Sequence, residues 1–445
     1  MRDALLVGIP FKEEMNRMTI DEEVDALIDT RPGRVLLHVP YDTEALRIHP
    51  RVYRSAGTTA SYAVDAGSQR MIVNCGMGFE APHHRRLFSE LELGPTSHIV
   101  TTQGHADHVG GVSQFRENGA QYVAHSNNQK CQSDDKRIQA FRHQTALTWF
   151  PDLPQRIGQF LKDYPDVEFE QDEPTPDVTF HDRLSLRVGD LDVELIHVPG
   201  GETIDSLVVW LPEDRVALVS NLFGPLFPHF PNFNTLRGDL YRFPVPYLKN
   251  IECVRDLGAK TLVTGRHLPI EGADLIEACF QRLYGAVDYV HSEALNMINS
   301  GKNPYEMMEG IQLPENLRVG EGYGKVAWAA RTIFESYTGW FQRRSTAELY
   351  ASDPGKAASL LAEKLPSEDV IQMARDELDA GDPASAIRLA EAVRDHVSGS
   401  SALEVILQAH EVLLTTGSEN FWEHGWLIHE IKRLKSELAK TGELA

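Results

Sequence analysis

The sequence predicts a sandwich of two mixed β-sheets with helices on its outer faces, followed by an all-α domain. Short β-prone runs are grouped in two stretches, at about 58–76 and 184–224, and helical sequence follows each of them. This order is typical of a layered α/β fold. From about residue 275 onward, apolar residues recur at three- and four-residue spacings, which indicates helices. We therefore expect an αββα sandwich and then a helical domain.

Composition and charge exclude several classes of protein. With 445 residues, 42% hydrophobic and 24% charged, the chain is globular and long enough for two or three domains. Its net charge of −22 disfavours nucleic acids and anionic membranes as partners. No run approaches the ~18 apolar residues of a membrane span, and the N-terminal apolar stretch is too short for a signal peptide. Scattered cysteines without a CxxC pair indicate reduced thiols and a cytoplasmic protein: Cys75, Cys131, Cys253 and Cys279.

The first stretch predicts an N-terminal extension over residues 1–54 and the first sheet of a catalytic domain over residues 55–285. Two β-prone runs around a Gly67-Ser68 turn predict a hairpin. The predicted elements are, in order, a strand at Arg34–Val39, hairpin strands at Thr58–Asp65 and Met71–Gly76, a helix at about His83–Leu93 and a buried strand at Ser97–Thr101.

The second stretch predicts the second sheet. Between the two stretches, residues 131–176 are helical with an acidic, proline-rich exit, and we interpret them as an insertion over the site. The predicted elements that follow are strands at Leu184–Val188, Leu191–Val198, Ser206–Leu211 and Val216–Ser220, a helix at Tyr247–Gly258 and a strand at Thr261–Thr264.

Residues 286–445 are predicted to form the helical domain. Glu377–Asp382 followed by Ala384–Ala392 is typical of a tetratricopeptide-like helix pair, although too few units are visible for a free solenoid. One apolar stripe indicates core or a dimer interface: Val326, Ala330, Ile333, Tyr337 and Trp340.

The motif that points to chemistry is Thr102–Gly111, with the sequence TQGHADHVGG, between the predicted strand at 97–101 and a predicted helix. Two histidines and a carboxylate, His105, Asp107 and His108, fall within four residues on a strand-to-helix loop. Neutral imidazole and carboxylate are ligands that zinc or iron binds. The motif in this context therefore predicts a metal site.

This arrangement resembles the metallo-β-lactamase superfamily, whose signature is His-x-His-x-Asp-His. The first histidine of that signature is Gln103 here, and the strand that typically ends in Asp ends in Asn74. Further ligands must come from later strand ends. The candidates are Glu202 in the loop after the strand at 191–198, the Ser220-Asn221 pair, and His267, whose Gly-x-His-x-Pro context resembles that of the last superfamily ligand.

A narrower resemblance is to the zinc-dependent alkylsulfatases of this superfamily, and it runs from about residue 55 to the C-terminus. Asn232–Gly238 is similar to their Asn-x-Tyr-Thr-Leu-Arg-Gly segment. Tyr323–Val326 and Tyr337–Phe341 are similar to segments of their dimerisation domain. The small lipid-carrier-like domain that usually ends these enzymes is absent, which favours shorter or more polar substrates than long-chain alkyl sulfates.

The resemblance implies roles for individual residues. One metal ion would be bound by Gln103, His105 and Glu202, and the second by Asp107, His108 and His267; the bridging glutamate of the family falls on Ser220. Asp107 would also orient the attacking water. The sulfate group would be held by Asn232, Arg237 and Arg242, since a planar guanidinium suits a tetrahedral oxyanion. His229 could turn toward the position of the missing histidine, but base rates favour a surface loop.

The preferred hypothesis is a cytoplasmic, homodimeric metallohydrolase that cleaves a sulfate ester or a similar small anionic ester. The cofactor would be one or two Zn²⁺ ions per protomer, with iron as the alternative. Other functions stay open at this stage. The same fold could hydrolyse lactones or phosphoesters, or carry out redox chemistry at iron with Gln103 and Ser220 as retuned ligands. A dimeric binding protein without catalysis is the third hypothesis.

Overall fold

The computed structural model describes residues 18–31, 33, 40–117, 119–166, 170–233, 236–238, 240–396 and 400–440. The strand predicted at Arg34–Val39 lies outside the described residues. The chain divides into two compact units, one formed by residues 1–142 and 153–336 and the other by residues 143–152 and 337–445. The domain boundary predicted after residue 285 falls inside one continuous helix, Ala273–Asn299.

The first unit contains a seven-stranded mixed sheet in the order β1 to β7. The first four strands are antiparallel neighbours, and β4 to β7 run parallel. The predicted hairpin is confirmed, because β3 and β4 pair around the turn at Gly67. The strands are β1 Leu46–His49, β2 Val52–Ser55, β3 Ser61–Ala66, β4 Gln69–Val73, β5 Thr96–Val100, β6 Gln121–His125 and β7 Val178–Phe180.

A six-stranded sheet forms the second layer, in the order β13-β12-β11-β10-β9-β8. Strands β8 to β11 are antiparallel, and β11 pairs with β12 in parallel. The strands are β8 Arg183–Val188, β9 Leu191–His197, β10 Leu207–Leu211, β11 Val216–Ser220, β12 Thr261–Thr264 and β13 Ile270–Glu271.

The two sheets face each other across an apolar core. Both contribute β-branched and leucine side chains to it, among them Val64 and Val73 from the first sheet and Val209 and Leu218 from the second. Burial of such side chains stabilises the sandwich by roughly 1.5–3 kcal/mol each. Two further clusters join the outer face of each sheet to helices. The predicted αββα sandwich is therefore confirmed.

Helices of the first unit cover the outer faces and carry the insertion. Three of them, α5 to α7, lie between β6 and β7, as the sequence predicts. The helices are α1 Ile20–Asp29, α2 Ala81–Ser89, α3 Ala106–Val109, α4 Val112–Phe115, α5 Asn128–Arg137, α6 Gln139–Trp149, α7 Leu153–Asp163, α8 Pro244–Arg255, α9 Ala273–Asn299, α10 Pro304–Gly310 and α11 Val326–Thr338, with a short 3-10 helix at Glu315–Leu317. After Arg142, α6 continues into the second unit.

The second unit is helical. The predicted pair of helices is present as α13 and α14, with Asp382 capping the second helix by accepting a hydrogen bond from the Ser385 amide. The elements are α12 Pro354–Ala362, α13 Ser367–Asp379, α14 Pro383–Val393, α15 Ser401–Thr416 and α16 Phe421–Lys440, with a 3-10 turn at Thr346–Leu349. Among the described residues, no helix combines the length and apolar character needed to cross a membrane.

Candidate metal centre

The loop that carries the predicted ligands leaves β5 and is fixed tightly against the end of β4. The amide of Cys75 donates a 2.8 Å hydrogen bond to the carbonyl of His108. A Cβ atom on Gly111 would lie 2.3 Å from the Ala81 side chain, and one on Gly110 would lie 2.6 Å from the Gly78 amide nitrogen. The glycine pair is therefore required by close packing, which places His105, Asp107 and His108 in one turn at the C-terminal edge of the first sheet.

His108 is fully buried among polar groups. Its Nδ1 lies 3.2 Å from the Thr102 hydroxyl, and its Nε2 lies 2.8 Å from the Gln103 amide nitrogen and 3.3 Å from that of Asn221. Burial lowers the pKa of His108 to about 4, although the neighbouring Asp107 carboxylate acts in the opposite direction. The ring is therefore neutral near pH 7, which is the form that binds a metal ion.

Asp107 is held as a carboxylate. Burial by itself would raise its pKa, but the nearby His108 and His105, a hydrogen bond from the Thr59 hydroxyl and the charge of Arg266 lower the pKa well below its usual range. Thr59 lies just before β3 in the first sheet, and it also accepts a 3.1 Å hydrogen bond from the Asn221 amide. One hydroxyl thus joins the metal loop to the end of β11 in the second sheet.

Gln103 connects the two histidines of the loop. Its amide nitrogen lies 3.1 Å from Nδ1 of His105 and 2.8 Å from Nε2 of His108. The side chain is 2% exposed, so it has no room to turn away into solvent. The residue that replaces the first histidine of the superfamily signature therefore lies between the imidazoles of His105 and His108.

Glu202 reaches the same cluster from the loop after β9. Its Oε1 lies 3.8 Å from Nδ1 of His105. The same oxygen lies 2.6 Å from a guanidinium nitrogen of Arg242, whose other Nη is 3.3 Å from the Tyr323 hydroxyl. The sequence analysis assigns Arg242 to the substrate anion. In the structure its guanidinium forms a buried ion pair with Glu202, a predicted metal ligand, and its role toward the substrate stays a prediction.

Within the described part of the chain, no hydrogen bond joins the Nε2 of His267 to Asp107 or His108. The end of β12 is placed beside the site, because the Gly265 amide donates to the Ser220 carbonyl and the Ala60 amide donates to the Gly265 carbonyl. The buried Nε2 of His267, however, has no hydrogen-bond partner among the described residues. Burial lowers the pKa of His267 well below its usual value, and nearby Arg31 and Arg266 act in the same direction. Its role as a ligand stays a prediction.

The predicted sulfate-binding segment lies next to the Gly320–Gly324 turn. The Gly324 amide donates a 3.1 Å hydrogen bond to the Phe230 carbonyl, and a Cβ atom on Gly324 would be 2.8 Å from the Asn232 amide nitrogen. Asn232 is 3% exposed and Arg237 is half-buried. Asn234 and Thr235 of the motif lie outside the described residues.

His229 differs from its predicted position. The interpretation as a surface-loop histidine is wrong, because the side chain is 3% exposed. Its Nδ1 accepts a 3.1 Å hydrogen bond from the Gly322 amide, and its Nε2 lies 3.2 Å from the Ile28 carbonyl, to which the ring donates. Helix α1 and the 320–322 turn thus bury this residue, and neither contact can be read from local sequence.

Two strand ends at the site adopt left-handed backbone conformations. Asn74 after β4 has φ +60° and Ser220 at the end of β11 has φ +48°. The Asn74 side chain donates a 3.2 Å hydrogen bond to the Ser220 hydroxyl and accepts a 2.9 Å one from the Thr102 amide. Non-glycine residues in this conformation carry strain that is often found at functional sites. Here they connect the two sheets beneath the metal loop.

The donor types in this cluster fit a divalent metal ion. Among the described residues, His105 lies within 4.0 Å of both Glu202 and Asp135, and Asp107 lies within 4.0 Å of His108. The Oδ1 of Asn221 is a buried acceptor without a partner in the described ranges. In the same part of the chain, no three His, Cys, Asp or Glu side chains form a group arranged to hold a metal ion. The side-chain types that bind a divalent ion are therefore present, but they lie in pairs and, within the residues that the structure describes, do not form a group of three that could hold the ion.

Three side chains next to the predicted ligands are not among the residues predicted from the sequence. Thr59 contacts both Asp107 and His108, and Arg266 places its charge near Asp107. Asp135 of the inserted helix α5 lies 4.0 Å from Nε2 of His105. Arg266 adjoins His267 and Gly265, so its position at a strand end was a usable signal. No local pattern distinguishes Thr59 or Asp135.

Comparison with known proteins agrees with this architecture. Residues 54–267, which contain both sheets and the metal loop, match the family described as the metallo-beta-lactamase superfamily. This part of the chain is therefore similar to that superfamily. Residues 303–422 match the family described as alkyl sulfatase dimerisation, in the order that the sequence predicts. The match to this superfamily implies that residues 54–267 bind a divalent metal ion.

Individual proteins that this chain resembles are alkylsulfatases. It is 27% identical over 315 residues to the linear primary-alkylsulfatase of Pseudomonas sp. (strain ATCC 19151), covering 64% of this chain and 57% of that protein. A double mutant of the sec-alkyl sulfatase PisA1 has a TM-score of 0.75 at 17% identity, with 88% of this chain and 65% of that one covered. The stereoselective inverting sec-alkylsulfatase Pisa1 from Pseudomonas sp. has a TM-score of 0.74 at 17% identity, with 90% and 66% covered. The chain thus spans less than two thirds of the length of these relatives.

Proposed function

We propose that this protein is a metal-dependent hydrolase that cleaves a sulfate ester or a similar small anionic ester. The observation that carries the proposal is the pair of Asp107 and His108 on the metal loop, a carboxylate and a neutral imidazole whose nearest oxygen and nitrogen lie 3.9 Å apart. Alkylsulfatase relatives and the two family matches in the same order along the chain support this reaction class.

The ion would be held by Asp107 and His108, with His267 as the further ligand that the resemblance implies. When bound, a divalent ion supplies a water molecule whose pKa is lowered toward neutrality. We propose zinc, which imidazole and carboxylate bind readily, with iron as the alternative. The chain itself keeps Asp107 ionised and His108 neutral near pH 7, so both are ready to bind without losing a proton.

Arg237 and Asn232 would hold the anionic end of the substrate. A guanidinium binds a tetrahedral oxyanion through paired charge-assisted hydrogen bonds, and the charge that grows on the leaving sulfate is stabilised by the same contacts. Because the whole protein carries a charge of −22, the anion needs such a local cation to bind at all. Arg237 is half-buried, which strengthens its electrostatic contacts relative to an exposed arginine.

We also propose that the protein is a homodimer that joins through the second unit. Exposed apolar side chains are concentrated there over residues 337–373: Tyr337, Trp340, Leu349, Tyr350, Leu360, Leu361, Leu365 and Met373. A concentration of exposed apolar side chains is typical of a protein–protein interface. The four cysteines are free thiols, which supports a cytoplasmic location.

The test is sulfate release from a graded series of alkyl sulfates by protein loaded with zinc or with iron(II). The same preparations are assayed on a phosphoester and a lactone. We expect sulfate release that is removed by a chelator and strongly reduced in Asp107→Asn. Hydrolysis of only the phosphoester or the lactone would contradict the sulfatase proposal, and a lack of turnover by the metal-loaded protein on every substrate would favour a binding protein.

A further inference from the structure

Glu202 and Arg242 form a buried ion pair next to the metal loop. Their closest oxygen and nitrogen lie 2.6 Å apart, and the two side chains are 7% and 3% exposed. The Arg242 Nε also lies 3.4 Å from the Glu202 backbone carbonyl, to which it donates. Arg242 therefore contacts both the side chain and the main chain of Glu202. The ion pair is therefore buried and little screened by solvent, unlike a salt bridge on the surface.

Such a pair competes directly with a metal ion for the same carboxylate. A guanidinium stays protonated in proteins, so Arg242 remains a cation at any pH at which the protein is folded. A divalent ion bound to Glu202 would place a second cation beside it in a site with little water to screen the repulsion. The single negative charge of Glu202 cannot compensate both cations. Because Arg242 is part of the chain, it is the cation that Glu202 always faces.

Two other residues on this side of the cluster are neutral and are weaker metal ligands than the histidine and glutamate that they replace in the resemblance. Gln103 contributes a neutral amide, and its nitrogen lies within hydrogen-bond distance of the ring nitrogens of both His105 and His108. Ser220 has a hydroxyl that accepts a hydrogen bond from Asn74. The Asp107–His108 side differs, because its carboxylate is held by the Thr59 hydroxyl.

We propose that Arg242 is a built-in cation that takes the place of a first metal ion at Glu202, so that each protomer binds a single divalent ion on the Asp107–His108 side. This inference rests on the metal dependence in the proposed function. It makes Glu202 a partner of an arginine instead of a metal ligand, and it makes Arg242 a positioning residue instead of a contact for the substrate anion.

The experiment is a four-way comparison of zinc stoichiometry after equilibrium dialysis, for the wild type, Gln103→His, Arg242→Gln and the double variant. We expect about one ion per protomer in the wild type and in Gln103→His, and about two in the double variant, because only the double variant has both an imidazole and a freed carboxylate. Two ions in the wild type or in Gln103→His would overturn the proposal, and so would one ion in a folded double variant.

A second variant covers the case in which loss of Arg242 prevents folding. Glu202→Gln keeps the size of the side chain and leaves an amide oxygen to accept from Arg242. We expect this variant to keep its single zinc ion, since Glu202 does not bind metal. Loss of that ion in a variant with the far-ultraviolet circular dichroism of the wild type would overturn the proposal.

These readouts are independent of turnover. A wild type that binds one zinc ion but releases no sulfate would leave this inference intact and contradict the proposed sulfatase activity. A wild type that releases sulfate with two ions bound would support the activity and overturn the inference. A wild type that binds no ion would overturn both.

Discussion

The hydroxyl of Thr59 donates a 2.5 Å hydrogen bond to Oδ2 of Asp107. The same hydroxyl accepts from the Asn221 amide, so one side chain from the first sheet fixes a predicted metal ligand and the end of β11 together. Partners of this kind orient a ligand before the ion arrives, and their loss typically costs 10–100-fold in metal affinity.

We therefore expect Thr59→Val to weaken zinc binding by roughly 10–100-fold, since valine keeps the shape of threonine without the hydroxyl. The measurement is competition with a chelator of known affinity. Thr59→Ser, which keeps the hydroxyl, is the matched control and should stay close to the wild type. Equal affinities for the valine and serine variants would show that the hydrogen bond does not position Asp107.

His267→Ala should lower metal content if His267 turns toward Asp107 and His108 when the ion binds. The physical reason is its buried Nε2, which has no hydrogen-bond partner among the described residues and would gain one from a metal ion. Metal per protomer is measured by atomic emission, and the helical domain should stay folded. His143→Ala removes an exposed histidine and serves as the control. Unchanged metal content in His267→Ala would remove this residue from the site.

Acid should destabilise the first unit through His229. Burial lowers the pKa of His229 to about 4, whereas an unfolded histidine titrates near 6.5. Between these values only the unfolded chain binds the proton, so stability is complete above about pH 6.5 and falls as the pH drops toward 4. The contribution of this one group is about 3 kcal/mol.

Urea denaturation between pH 7 and pH 4 measures this effect. Over that interval the free energy of unfolding should fall less steeply with decreasing pH in His229→Gln than in the wild type. The difference in slope should correspond to about one proton taken up on unfolding. His108 and His84 have lowered pKa values of about 4 and about 3, and since they remain in the variant, part of the loss persists. Identical slopes in both proteins would contradict the assignment to His229.

The second unit should lose self-association when its apolar surface is made polar. We expect Trp340→Ser combined with Leu361→Glu to shift the protein from dimer to monomer, because these side chains are 67% and 71% exposed in the single chain and a charge at an interface opposes burial. Sedimentation velocity gives the molecular mass. Leu240→Ser changes a side chain that is 64% exposed in the first unit and should leave the dimer intact. A dimer in all three proteins would place the interface elsewhere.

Much of the fold could be predicted because it depends on local patterns. Short β-prone runs predicted β8 to β11 within two residues of their ends, and the glycine turn predicted the β3–β4 hairpin. The boundaries that differ have local causes. Helix α8 begins at Pro244, three residues before its predicted start, since proline is favoured in the first helical turn.

The contacts within the site could not be predicted in the same way. The pairing of Thr59 with Asp107 and of Glu202 with Arg242 joins residues 48 and 40 positions apart. Such contacts are decided by how loops far apart in the chain are brought together, and a single sequence gives residue types without that placement. The resemblance supplied roles for Glu202 and Arg242 separately, and only the structure shows that each is the other's partner.

The Glu202–Arg242 pair also limits how the sequence can change. Removing either partner alone leaves an uncompensated buried charge, at a cost of about 3–5 kcal/mol. A typical domain has only about 5–15 kcal/mol of stability in total. A route that changes Arg242 first therefore passes through a poorly folded intermediate, whereas one that begins with Gln103→His keeps the ion pair until an imidazole is in place. Laboratory evolution toward two-metal chemistry should succeed when position 103 changes before position 242, or in a background that has first been stabilised elsewhere.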